Sequence, residues 1–246
     1  MSDQDVLERF RRSPRRGIFL DFDGTLSEIV ARPEQAEPVP RARSILAELA
    51  RRNDLVAVVS GRQADEVRAL ISVPGIEVFG QYGIEEHRLE GIQNEELKRE
   101  VDHAAGQVEG AWVEDKKASL AVHYRAAPDP AAAERLLRRS LQAIAEERGL
   151  IVLPGKMVLE LAPADTPGKG AVILREARAR RLSGCLFAGD DHADLAAFAA
   201  LDELQAGGTT AVKVAVRSEE TPQELVEAAD LVVERPSGLL ELLARL

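Results

Sequence analysis

Short apolar runs and amphipathic stretches alternate along this chain. Gly17 to Asp21 is an apolar run that ends in carboxylates, the pattern of a buried parallel strand with something chemical at its C-terminal end. Residues 41–52 carry apolar positions at helical spacing (Ile45, Leu46, Leu49), and Leu55 to Val59 form a second apolar strand that stops at Ser60-Gly61-Arg62. A helix over 63–71 and a strand near 76–79 continue the series. Such a βαβαβ order predicts a parallel sheet with right-handed crossovers. The same alternation returns late, with a helix over 168–181, a strand over 184–188, a helix over 192–201, strands over 211–216 and 230–233, and a last helix from Pro236.

Between these halves the texture changes. Ser119 to Arg125 alternates with period two, 129–148 is strongly amphipathic, and Met157 to Leu161 alternates again. A small antiparallel sheet carrying at least one helix, inserted into the parallel domain, accounts for this pattern. The expected core covers 1–87 and 164–246, and the expected insert covers 88–163. Trp112 is expected in the core of the insert, whereas His123 and Arg125, on one strand face, read as surface charges in preference to rim contacts of a site.

Composition narrows the classes. The 246 residues exceed the usual size of one domain, so one large domain or two unequal ones are both plausible. Apolar residues at 45% and charged residues at 30% fit a folded globular protein. A formal net charge of −10 repels polyanions, which argues against nucleic acid and anionic membrane as partners. A small anionic substrate remains allowed, because a divalent metal and a few lysines reverse the field locally. No obligate protein partner is evident. Cys185 is the one cysteine and lies in an apolar run, so it excludes an internal disulfide and reads as a buried, inert thiol. No stretch approaches the roughly 20 apolar residues of a membrane span. Asp21 and Asp23 interrupt the first apolar run, so no signal peptide is expected and the chain reads as cytoplasmic.

The chemistry concentrates at strand ends. In Asp21-Phe22-Asp23-Gly24-Thr25-Leu26, two carboxylates two residues apart stand where a buried strand stops. The plainer reading is a polar turn at Asp23-Gly24. The other is a division of labour in which one carboxylate attacks phosphorus and its neighbour handles protons. Carboxylates and a phosphate repel one another, so this second reading needs a hard cation, and Mg²⁺ takes oxygen ligands. Gly189-Asp190-Asp191-His192-Ala193-Asp194, after the strand over 184–188, supplies further acids. Asp191 also suits the N-cap of the next helix. Ser60 and Gly61 offer a hydroxyl and backbone N–H groups for phosphate oxygens, or a simple helix cap. Thr166 reads as an N-cap with Pro167 at the first helical position and Lys169 in the first turn, where a lysine beside the positive helix end answers an anion. All four segments end strands or begin helices of one parallel sheet, whose ligands bind at the carboxyl ends of the strands.

Taken in order, DFDGTL, SGR, PGKG and GDDHAD resemble the four motifs of the haloacid dehalogenase superfamily of phosphotransferases. The resemblance covers the whole chain and implies an α/β fold: a Rossmann-like parallel sheet core with an inserted smaller α+β cap domain of type 2, which covers the site and selects the substrate. It implies Asp21 as nucleophile, Asp23 as general acid/base and backbone-carbonyl metal ligand, and Asp190 as direct metal ligand. Thr25, Ser60, Gly61 and Lys169 become phosphate holders, Lys169 a catalytic residue as well, and Asp191 and Asp194 support the Mg²⁺ from behind. A narrower resemblance is to trehalose-6-phosphate phosphatases, carried by Gly80 to Glu85, Trp112 to Lys116, Leu120 to Arg125 and Pro154 to Glu160. It implies that Glu114, Lys116 and Glu160 bind sugar hydroxyls. Period-two geometry agrees, since Glu114 and Lys116 share a strand face, as do Lys156 and Glu160. The sequence departs from the family where Ala193 and Leu195 flank Asp194 and where Tyr82 replaces a frequent histidine.

Two other functions compete. One is a phosphatase for a different sugar phosphate, of the sucrose-phosphate or mannosyl-phosphoglycerate type. The other is a phosphosugar-binding module without catalysis, although Asp21, Asp23, Lys169 and Asp190 are all present. A nucleotide kinase is disfavoured because no G-x-x-x-x-G-K-[ST] stretch exists.

Overall fold

The computed structural model describes residues 3–30, 32–83 and 94–246. It divides into two compact units, Met1–Gly83 with Pro167–Leu246, and Ile84–Thr166. The expected first junction, between 87 and 88, lies outside the described residues; the expected second, between 163 and 164, coincides with a strand end.

The first unit begins with α1 (Asp3–Arg12), β1 (Arg16–Leu20), α2 (Ala42–Arg52), β2 (Leu55–Val59), α3 (Ala64–Ile71) and β3 (Glu77–Phe79). The second unit follows with α4 (Glu95–Gly106), β4 (Trp112–Asp115), β5 (Leu120–His123), α5 (Pro130–Arg148), β6 (Leu150–Gly155) and β7 (Val158–Pro163). The chain returns to the first unit through α6 (Gly168–Ala179), β8 (Gly184–Gly189), α7 (Leu195–Ala206), β9 (Thr210–Arg217), α8 (Gln223–Ala228), β10 (Leu231–Glu234) and α9 (Arg235–Leu243).

Six parallel strands in the order β10-β9-β8-β1-β2-β3 form the first unit's sheet. Alternate residues of each strand serve its two faces. Ile18, Leu20, Val56, Val58 and Leu186 pack with Phe10 of α1, Leu46 of α2 and Leu239 of α9. Phe19, Ala57, Val59, Cys185 and Phe187 pack with Val172 of α6 and Phe198 of α7. Both faces being covered explains why these strands read as unbroken apolar runs. The result is an α/β fold with a parallel core, as expected.

The second unit is an antiparallel sheet in the order β4-β5-β7-β6. One face carries Leu120, Val122, Leu159 and Leu161 against Leu97 and Val101 of α4 and Leu137 and Leu141 of α5. The other carries Trp112, Glu114, Ala121, His123 and Glu160. Trp112 is therefore not in the unit's core: it stands on edge strand β4 and is 37% exposed, because Val113 takes the face toward the helices. Lys156 does not share a strand face with Glu160 either. β6 ends at Gly155, Met157 adopts a left-handed φ of 56°, and Lys156 lies in the hairpin turn.

Among the described residues, no helix is long and apolar enough to cross a membrane.

Candidate active site

β1 and β8 are neighbours, although the chain leaves β1 toward β2 on one side and later builds β8, β9 and β10 on the other. A crevice opens at such a reversal, beyond the carboxyl ends of the two strands. Asp21 follows β1 there and Asp190 follows β8, and the Asp21 amide donates to Ala188 O at 2.9 Å. The two apolar strands thus end side by side, and each delivers a carboxylate to the same place.

Lys169, in the first turn of α6, joins them. Its Nζ stands 3.0 Å from Asp21 Oδ1 and donates to Asp194 Oδ1 at 2.6 Å. The other oxygen of Asp194 accepts from the amides of Asp190 at 2.8 Å and Asp191 at 2.9 Å. Asp194 thereby ties the lysine to the loop after β8, and both oxygens of its carboxylate are held without help from Ala193 or Leu195. Asp191 caps a 3-10 turn over His192–Asp194, and α7 begins only at Leu195. Thr25, one of the expected phosphate holders, is fully buried and its hydroxyl donates to Asp190 Oδ1 at 3.3 Å. Two glycines make this crowding possible. A Cβ at Gly24, whose φ is +77°, would collide with the Asp190 carboxylate, and one at Gly189 would collide with Asp194.

Oxygens of Asp21, Asp190 and Asp194 lie within 4.8 Å of one another, and all three residues are buried. Burial pushes the Asp21 carboxyl well above the usual carboxylate range; Lys169 works against this, while Asp194, Asp190 and Asp23 add to it. Burial likewise opposes the charge of Lys169, but Asp194 and Asp21 outweigh it and hold the ammonium well above its ordinary range. Asp21 and Asp194 share the ammonium of Lys169 and Asp190 adds a third carboxyl, so among the described residues of this cluster carboxyls outnumber ammoniums, and the donors are hard oxygens. A divalent cation of the Mg²⁺ kind fits both features.

Asp23 points elsewhere. Its two oxygens accept from Arg62 Nε at 2.7 Å and Nη2 at 2.9 Å, in a bidentate pair. Arg62 also contacts Glu66, donates to Pro33 O at 3.0 Å and lies over the Phe22 ring, 5.5 Å from its centroid. Burial opposes its charge, yet Asp23 and Glu66 keep the guanidinium firmly protonated. Ser60 is buried and its Oγ accepts from the Arg62 amide at 3.2 Å, so the hydroxyl braces its own loop, and the cap of α3 falls to Gln63. The Gly80–Gly83 turn is stitched to that loop, with the amides of Gln81 and Tyr82 donating to Arg62 O at 2.9 Å and Ser60 O at 3.0 Å. Gln81 and Tyr82 both take left-handed φ values, 47° and 56°. The Tyr82 hydroxyl lies 2.6 Å from where a Cβ of Gly61 would stand. Arg62 and Tyr82 are therefore neighbours of the site that sequence reasoning missed; the Ser60-Gly61-Arg62 spacing and the paired glycines around Tyr82 were the signals. Thr166 does not cap α6. Its hydroxyl donates to Pro163 O at 2.7 Å, and α6 starts at Gly168, whose φ is +76°, with Pro167 in the cap position rather than the first helical one.

The second unit brings its three expected residues onto one sheet face. Lys116 Nζ donates to Glu160 Oε2 at 2.9 Å, and the Ser119 hydroxyl donates to Glu160 Oε1. Glu160 and Lys116 are buried, at 2% and 8% exposure. Glu114 is half-buried and its Oε2 lies 2.8 Å from His123 Nε2.

A model of the trehalose-phosphatase family matches residues 19–231. The trehalose-phosphate phosphatase of Mycobacterium marinum is 32% identical over 251 residues, spanning 95% of this chain but 62% of that protein. The chain thus spans less than two thirds of that relative's length. The C-terminal domain of Candida albicans trehalose-6-phosphate phosphatase superposes with a TM-score of 0.84 at 21% identity, covering 100% of this chain and 98% of that one. A haloacid dehalogenase-like hydrolase from Bacteroides thetaiotaomicron gives 0.58 at 16% identity, covering 94% of this chain and 99% of its own, which identifies the fold. With a family match that takes in both strand-end carboxylates, the lysine and the inserted sheet, the chain belongs to the trehalose-phosphatase family.

Proposed function

We propose that the chain hydrolyses trehalose 6-phosphate to trehalose and phosphate through an aspartyl-phosphate on Asp21, with Mg²⁺ as cofactor. The observation that carries this reading is the placement of Asp21 at the reversal between β1 and β8, 3.0 Å from Lys169 and grouped with Asp190 and Asp194. Asp21, Asp190 and the backbone carbonyl of Asp23 would hold the metal, with Asp191 and Asp194 behind them. Bound there, Mg²⁺ would neutralise negative charge on the phosphate and the carboxylates.

This chain's residues supply the rest. Lys169 and the Ser60–Gly61 loop hold the phosphate oxygens. A carboxylate oxygen of Asp21 forms a bond to phosphorus as the bond from phosphorus to the sugar oxygen breaks, and Asp23 gives that oxygen a proton. Asp23 then takes a proton from the water that attacks the aspartyl-phosphate, which restores the Asp21 carboxylate and releases phosphate. Arg62 grips Asp23 by two hydrogen bonds, so the proton steps require Asp23 to leave that grip. Glu114, Lys116 and Glu160 recognise the sugar hydroxyls.

Phosphate release with Mg²⁺ from trehalose 6-phosphate, set against glucose 6-phosphate and sucrose 6-phosphate, tests the substrate. The expected result is strong preference for trehalose 6-phosphate, silenced by a chelator and restored by Mg²⁺. Equal turnover of all three esters would return the substrate to an unspecified sugar phosphate, and full activity in excess chelator would remove the metal.

A further inference from the structure

The second unit's open sheet face holds a second polar arrangement beside the Lys116–Glu160 pair. Trp112 and His123 are direct cross-strand partners on β4 and β5, and their rings stack with centroids 4.2 Å apart and planes within 10°. Such a stack restricts the imidazole to one orientation. Glu114, two residues along β4 from Trp112, lies diagonally across from His123 and meets its Nε2 at 2.8 Å. An ionised carboxylate only accepts, so Nε2–H is the donor in this contact. The residue opposite Glu114 is Ala121, and the residue opposite Ala121 on β7 is Glu160. Glu114 and Glu160 therefore flank one small side chain in a single row across the sheet. Glu160 is already held from two sides by Lys116 and Ser119. Glu114, on an edge strand, has His123 in the corresponding place.

We propose that His123, oriented by its stack on Trp112, is a positioning residue that sets the Glu114 carboxylate for a sugar hydroxyl of the substrate. This rests on the reading of Glu114 as a sugar ligand given above. A freely rotating glutamate at a sheet edge loses side-chain freedom when it binds, and a carboxylate held in advance by a fixed donor avoids that cost at the moment of binding. Held at Oε2 by His123, the carboxylate keeps one orientation toward a hydroxyl donor rather than sampling several rotamers. His123 acts through Glu114 and does not itself touch the sugar.

The test is a double-mutant cycle on kcat and KM for trehalose 6-phosphate, using Glu114→Ala, His123→Leu, the double variant and His123→Gln, whose side-chain amide keeps a donor near the Nε2 position. His123→Leu should raise KM about tenfold with little change in kcat, the cost of an unmade hydrogen bond to a charged group. His123→Gln should recover most of that loss. In the Glu114→Ala background, His123→Leu should cost nothing further. A folding defect from the leucine would persist in that background, so the cycle separates positioning from structure, and thermal unfolding midpoints of all four variants check it independently. Wild-type KM in His123→Leu, or the same loss with and without Glu114, would overturn the proposal while leaving Glu114 as a ligand. No loss in Glu114→Ala would overturn the reading of Glu114 and this proposal with it.

Discussion

At the end of β1, the buried carboxylates of Asp21 and Asp194 share Lys169 with Asp190 grouped beside them, whereas on the second unit's sheet Lys116 pairs with Glu160 and Ser119 donates to the same carboxylate. Burial is comparable, since Lys169 is 3% exposed and Glu160 is 2% exposed. Charge balance is what differs. Among the described residues the first arrangement has more carboxyls than ammoniums, and burial holds the Asp21 carboxyl well above its usual range, which is the state expected of a site that gains a cation and an anionic substrate together. In the second, one ammonium and one hydroxyl already donate to the Glu160 carboxylate. Balanced polar groups of this kind suit the recognition of a neutral sugar, where what counts is that each hydroxyl finds its partner. The comparison separates two kinds of work, and substitutions should separate them too.

The largest effect should come from Asp21→Asn. The carboxamide cannot attack phosphorus, so kcat should fall by at least about 10³-fold on every phosphate ester tested. The fold should survive, because one fewer negative charge relieves the crowding and Asp194 still pairs with Lys169. Steady-state phosphate release and a thermal unfolding curve check both halves. Activity above a few per cent of the parent would remove the covalent step.

Lys169→Met comes next and should cost both activity and stability. Removing the ammonium leaves Asp21 and Asp194 buried without their counter-charge, and breaking a buried pair from one side costs about 3–5 kcal/mol. Urea unfolding should show the loss, and added Mg²⁺ should recover part of it if the carboxylates hold the metal. A variant as stable as the parent, with or without Mg²⁺, would mean that the carboxylates lose their charge together with the lysine.

How much of this was legible in the sequence follows the same division. Asp21 and Asp190 stood out because each ends an unbroken apolar run, and a carboxylate there contradicts its surroundings. The parallel order followed from the same runs. Arg62 did not stand out, because its partner Asp23 is 39 residues away and an arginine in a loop reads as solvated. The helix over 168–181 begins at Gly168 as expected, but its cap was misassigned to Thr166 because capping preferences are local, while a left-handed Gly168 and the Pro163 carbonyl decide the actual turn. Helices α1 and α4 were missed because charged residues dominate both, and a few apolar positions such as Phe10 and Val101 carry their packing. Trp112 was misread by type. Alternation with Glu114 along β4 puts it on the polar face, and period outweighs hydrophobicity on an edge strand.

Glu160→Gln probes the balanced arrangement most gently. The amide keeps the size of the side chain and can still accept from Lys116 while its NH₂ donates to the Ser119 hydroxyl, so the geometry survives. A group meant to bind a sugar hydroxyl through a carboxylate then loses its charge and one acceptor. Charged hydrogen bonds of this kind are worth about 1.5–3 kcal/mol. kcat/KM for trehalose 6-phosphate should therefore fall at least tenfold, about 1.4 kcal/mol. p-Nitrophenyl phosphate carries no sugar hydroxyls, so its hydrolysis, which under the proposed mechanism needs only the first unit's residues and Mg²⁺, should change far less. Measured side by side, the two substrates read the two regions separately. Equal losses on both would show that the charge at Glu160 supports the fold of the second unit or the core chemistry rather than recognition. No loss on either would make the Lys116–Glu160 pair an internal brace of the sheet, and sugar recognition would then have to be sought at Glu114 and its neighbours.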